Sequence, residues 1–204
     1  RQMCIRDRPT VYRDYVIFVA EVASTCNEAL LMEHLLQSTQ DRRRRAWLLN
    51  HFLEQFKGTL YRQTMFAEFE LRIGQLTAQG ETLTADLLSR EYRALNEDYF
   101  GPDMVIDDEI ALEWARIPHF YYNFYVYQYA TGFAAATALA NKITYGSQED
   151  KEKYLDFLKS GSSDYPINIM QKAGVDMTKS DYLEDAFKVF AERLDEFTDL
   201  IKKL

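Results

Sequence analysis

Two carboxylates interrupt an apolar run near the start of the chain, Phe18-Val19-Ala20-Glu21-Val22-Ala23-Ser24-Thr25-Cys26-Asn27-Glu28. Glu21 and Glu28 stand seven residues apart, which puts them on nearly the same face of a helix. A lone carboxylate is costly to bury, so such residues are ion-paired, hydrogen-bonded or bound to a metal. A second unusual segment, residues 119–132, places five tyrosines behind one histidine: Tyr121, Tyr122, Tyr125, Tyr127 and Tyr129 follow His119. On a helix, Tyr122, Tyr125 and Tyr129 share a face. Hydroxyls presented that way can donate to a developing oxyanion. The commoner use of such a stripe is an aromatic core with hydroxyls at its edge. His119 follows Pro118 at an expected helix start, where it is either a cleft residue or an exposed one with no chemical role.

A metal-dependent hydrolase needs several ligands, an open coordination position and a base. The helical arrangement His-Glu-x-x-His supplies two ligands and the base. It is absent: the histidines are His34, His51 and His119, and no two are four apart. Read on its residues alone, the sequence holds no complete metal site, and Glu21 has a plain alternative as partner of an arginine on another helix. A di-iron bundle would need Glu-x-x-His pairs. Leu31, Leu48 and Arg116 occupy the positions three before the histidines, so that reading fails.

The 204 residues suffice for a real core, and 47% hydrophobic residues argue against disorder. Twenty-four basic residues against 32 acidic ones give a net charge of -8, which speaks against nucleic acid as a partner. The basic run at 42–45 follows Asp41 and reads as a solvated helix start. Cys4 and Cys26 make neither a disulfide framework nor a zinc knuckle and suit a reducing cytoplasm. No apolar run approaches a membrane span, and no signal peptide is visible. Residues 1–8 lack the apolar periodicity of the rest of the chain and read as a foreign leader, leaving 9–204 as the folded part.

Positioning these residues falls to helices, and the expected fold class is all-α. Eight glycines, 4 prolines and no sustained alternation leave little room for strands. Helices are expected at about 14–37, 41–77 (bent near Gly58 and Gly74), 85–98, 107–115, from the aromatic segment to about 143, 148–159, a short one capped by Gly174, and a last one capped by Ser180. Thr84 reads as an N-cap, and Phe100-Gly101-Pro102-Asp103 as a turn. In the last helix Leu183, Phe187, Phe190, Leu194, Phe197 and Ile201 predict one buried face. No linker stands out, so one helical unit is expected.

Several ordered blocks resemble the oligoendopeptidase F family of zinc metallopeptidases, relatives of thimet oligopeptidase. They are Pro9 through Glu28 with its core Ile17-Phe-Val-Ala-Glu-Val-Ala-Ser-Thr-Cys-Asn-Glu28, Phe56-Lys-Gly-Thr-Leu-Tyr-Arg-Gln-Thr-Met-Phe-Ala-Glu-Phe-Glu70, Pro118-His-Phe-Tyr-Tyr-Asn-Phe-Tyr-Val-Tyr-Gln-Tyr-Ala-Thr-Gly132, Ser163-Asp-Tyr-Pro166 and Ala173-Gly-Val-Asp-Met177. The resemblance implies a zincin-like fold with a deep channel for short peptides, and one zinc ion. It implies Glu21 as the third zinc ligand and Glu28 as a residue orienting a ligand histidine. His119, Tyr125 and Tyr129 would stabilise the transition state, with Tyr122 and the Gly161 loop contacting substrate. The family's His-Glu-x-x-His helix lies upstream of the Glu21 block and is missing here. The expectation is therefore a C-terminal fragment of a cytoplasmic metalloendopeptidase, inactive alone. The competing expectation is a non-catalytic helical interaction module.

Overall fold

A computed structural model describes residues 9–204; the expected leader at 1–8 lies outside the described residues. The described residues contain helices and no β-strand. In chain order they are a 3-10 segment (Thr10–Tyr12), α1 (Ile17–Ser38), α2 (Arg42–Phe56), a π-helical turn (Lys57–Tyr61), α3 (Arg62–Ala78), α4 (Ala85–Phe100), 3-10 segments Glu109–Arg116 and Pro118–Tyr122, α5 (Tyr127–Tyr145), α6 (Gln148–Lys159), α7 (Pro166–Lys172) and α8 (Asp181–Ile201).

Local chemistry sets many of these ends. Asp41 takes the Arg44 amide at 2.7 Å, opening α2. Thr84 takes the Leu87 amide at 3.2 Å, opening α4, a cap worth about 1 kcal/mol. Ser147 and Asp150 form a capping box on α6. Gly101 and Gly174 adopt positive φ just after α4 and α7, where a side chain would be strained. Ser180 holds the expected cap position, but its hydroxyl donates to Glu184 instead of capping a backbone amide. The expected bend near Gly58 is the π-helical turn; at Gly74 the helix runs on.

The described residues pack as two compact units, one made by residues 9–56 with Thr131–Leu204, the other by Lys57–Ala130. Neither crossing carries a Pro- or Gly-rich linker: one adjoins the π-helical turn and the other falls within α5. That is why the sequence reads as one unit.

In the first unit α1 buries Val19, Val22, Ala23 and Cys26, and α5 is buried at every position from Phe133 to Leu139. Gly132 lets α5 approach the Phe18 ring, which would stand 3.4 Å from an added Cβ. Phe56 is fully buried among the rings of Phe133, Phe187 and Phe190. Two carboxylates tie down α8: Glu196 pairs with Arg45 of α2, and Glu33 of α1 with Arg193. The predicted buried face of α8 is only partly covered. Phe187, Leu194 and Ile201 are exposed, whereas Tyr182 and Ala186 are the buried residues. The apolar stripe is wider than the neighbours that cover it.

The second unit has its own core of Met65, Phe66, Phe69, Tyr92, Leu95, Ile117 and Val126. A buried carboxylate, Glu113, stitches three segments together. It accepts from the Tyr92 hydroxyl at 2.6 Å and pairs with Arg62 and Arg116.

Candidate active site

The aromatic segment is not the continuous helix that its spacing predicts. A 3-10 segment ends at Tyr122, Asn123 and Phe124 take positive φ of 43° and 54°, and α5 begins only at Tyr127. Tyr122, Tyr125 and Tyr129 therefore do not share a helical face. Three of the expected site residues nevertheless converge, because the turn folds Tyr125 back over His119. Their rings stack with centroids 5.7 Å apart and planes 7° from parallel. Tyr129, in the first turn of α5, meets both edge-on, at 5.8 Å from His119 and 5.5 Å from Tyr125. Its hydroxyl lies 3.3 Å from His119 Nε2. All three are half-buried, while Tyr122, 6.4 Å from the Tyr125 ring, is mostly exposed. The cluster rests on the core through Phe120, which packs against Phe66 and Phe69. Chemically, it is an imidazole and two phenols arranged as neighbouring hydrogen-bonding groups beside an accessible surface.

Beneath the turn lies a residue that no motif singles out. Glu70 of α3 is buried, and its Oε1 accepts from the Phe124 amide at 2.9 Å. Burial pushes its carboxyl above the usual glutamate range, and the Phe124 hydrogen bond offsets only part of that. A signal was present: Glu70 extends the spacing of Phe66 and Ile73, so the helical period puts it on the core face.

The expected metal residues sit differently from what their neighbours in sequence suggest. The apolar run around Glu21 suggests burial, yet Glu21 and Glu28 are exposed. The helix turns Val22, Ala23 and Cys26 inward and these two carboxylates outward. Ser24 donates to Glu21 at 3.4 Å, and Glu21 forms no ion pair among the described residues. Nor do the described residues contain any group of three His, Cys, Asp or Glu that could hold a metal ion. They do not by themselves assemble a zinc site. Gly161 adopts φ +56°, and a Cβ there would lie 2.1 Å from the Tyr12 carbonyl oxygen. Its lack of a side chain is thus explained by close packing of its loop on the chain before α1. Cys26 is buried, its thiol pushed up to about 12 by desolvation, which makes it a core residue and not a nucleophile.

The model of peptidase family M3 matches residues 2–189. The chain belongs to this family. The M3 chain is 55% identical over 199 residues to oligopeptidase PepF of Bacillus subtilis, a match covering 98% of this chain and 30% of that protein. It is 53% identical to the chromosomal oligoendopeptidase F of Lactococcus lactis subsp. cremoris, covering 97% of this chain and 33% of the relative. Among solved structures, oligoendopeptidase F from Enterococcus faecium superposes with a TM-score of 0.89 at 53% identity, over 93% of this chain and 36% of that one. This M3 chain thus spans about a third of the length of the curated relatives it matches. The all-α fold agrees with the solved relative.

Proposed function

We propose that this chain is part of a zinc-dependent oligoendopeptidase that cleaves short peptides in the cytoplasm. The observation that carries the reading is the convergence of His119, Tyr125 and Tyr129 in a chain of peptidase family M3. An acyl-transfer enzyme needs donors aimed at the carbonyl oxygen that becomes negative. A phenol beside an imidazole supplies such a donor: whichever nitrogen of His119 carries its proton, the Tyr129 hydroxyl exchanges a hydrogen bond with Nε2 or turns to the substrate. Tyr125 holds the ring plane of His119 and adds a second hydroxyl. Tyr122, exposed at the turn, is assigned to substrate contact, as is the Gly161 loop. Glu21 is assigned to the zinc ion and Glu28 to orienting a ligand histidine. When bound, the ion would supply Lewis-acid chemistry; the remaining ligands and the base are assigned to other parts of the enzyme. The exposure of Glu21 and the lack of an ion pair to it among the described residues support its availability as a ligand. A free, buried Cys26 suits a reducing compartment, and no described helix is long and apolar enough to cross a membrane.

The test uses an enzyme carrying this segment at full family length. Tyr125→Phe and Tyr129→Phe keep the rings and remove the donors. Loss of an oxyanion donor lowers kcat by roughly 100- to 1000-fold, with substrate affinity changed less. Glu21→Gln should release zinc on dialysis, read by metal analysis. Full turnover in both tyrosine variants returns the cluster to a packing role, and undiminished zinc in Glu21→Gln removes Glu21 from the ligand set.

A further inference from the structure

We infer that Glu70 is a positioning residue, whose carboxylate holds the Asn123–Phe124 turn in its left-handed conformation and so sets the orientation of His119, Tyr125 and Tyr129. The inference rests on the oxyanion reading of that cluster.

Two consecutive residues other than glycine at positive φ are unfavourable, on the order of 1–2 kcal/mol each for an L-residue. Asn123 is strained further, since its φ of 43° comes with ψ of 107°, outside the left-handed helical region. Both residues are exposed, so core packing does not impose this geometry on them. What meets the turn from inside is Glu70: its Oε1 takes the Phe124 amide at 2.9 Å. Its other oxygen, Oε2, is buried and has no hydrogen-bond partner among the described residues. Such an atom opposes folding, because it gives up water and gains nothing in return. An apolar residue of similar size would leave no such atom there. The carboxylate therefore has a task other than stability, and the group it touches is the turn. This turn is also what separates Tyr125 from the 3-10 segment bearing His119. Straightening it would carry Tyr125 away from the 5.7 Å stack. A displacement of about 1 Å in a reacting group can lower turnover by about 100-fold.

Glu70→Leu fills the same space without an acceptor, and Glu70→Gln keeps an acceptor oxygen of equal reach. In the full-length enzyme, hydrogen exchange of the peptide spanning 119–126 reports the turn, steady-state kinetics report catalysis, and thermal melting reports folding. Glu70→Leu should speed exchange in that peptide and lower kcat by about 10- to 100-fold with KM little changed. Its melting temperature should be no lower than that of the parent. Glu70→Gln should restore most of the turnover and the protection. Unchanged exchange in Glu70→Leu overturns the proposal, as does faster exchange with unchanged kcat. If Glu70→Leu does not fold, Asn123→Val disfavours the same turn from an exposed site, since a β-branched side chain is costlier still at positive φ: a lowered kcat there supports the proposal, and an unchanged one overturns it. Tyr125→Phe and Tyr129→Phe run alongside. If both keep full turnover, the oxyanion reading has failed; if both lose it while folded Glu70→Leu does not, only the role of Glu70 has failed.

Discussion

Glu70 takes up a proton more readily in the folded chain than in the unfolded one, because burial penalises its charge. Between the ordinary glutamate value and the raised folded value, the native state therefore binds more protons than the unfolded state. Stability then falls as pH rises through that window, the opposite of the usual carboxylate contribution. Asp164 and Asp176, held down to about 2 by hydrogen bonds from Lys172 and Thr178 respectively among others, act in the usual direction and at lower pH. The difference between the parent and Glu70→Gln isolates Glu70. Melting curves taken stepwise upward from about pH 4.5 should show the parent losing stability relative to Glu70→Gln. Parallel curves would mean that Glu70 does not titrate there. At this scale the sequence was informative about residue types and not about their surroundings. His119, Tyr125 and Tyr129 were legible as a group, but Glu70 was hidden within an apolar run, where only its place in the helical period marks it.

Among elements, helices announced by caps and breakers were legible, and those shaped by tertiary contact were not. The spans of α4 and α6 follow from Thr84, Gly101, Ser147 and their neighbours. The start of α5 does not follow, because nothing local forbids a helix through Asn123 and Phe124; the amide held by Glu70, 54 residues away, stops it there. The Gly161 loop is a similar case. Its glycine reads as flexibility, yet it is the point where the loop presses on the carbonyl of Tyr12, with the Ser162 amide donating to the same oxygen at 3.3 Å. Gly161→Ala should therefore lower stability by more than the roughly 1–2 kcal/mol that left-handed backbone alone costs. Gly80→Ala is the comparison, since Gly80 also has positive φ but open space around its Cβ position. Urea midpoints of the two variants should rank Gly161→Ala well below Gly80→Ala. Equal midpoints would mean that the loop is not packed there.

For the molecule as a whole, the all-α class and the family were legible, because helical periodicity and long ordered blocks survive in sequence. Its division into two units was not, since helical backbone runs through or beside both crossings. The true buried face of α8 was not legible either, because apolar spacing specifies a stripe and not the width of what covers it. In α5, burial is continuous from Phe133 through Ala140. A surface-facing helix tolerates bulk at two or three positions in every turn, so a saturation scan of it oscillates with the helical period. Here the alanines have neighbours on all sides, and larger residues must overpack at a typical cost of about 1–3 kcal/mol each. Scored by folded yield for substitution to Leu, positions 134–136, 138 and 140 should form a flat band of intolerance, with tolerance returning beyond Lys142. The helix at the centre of this unit would then betray itself in mutational data by having no period at all.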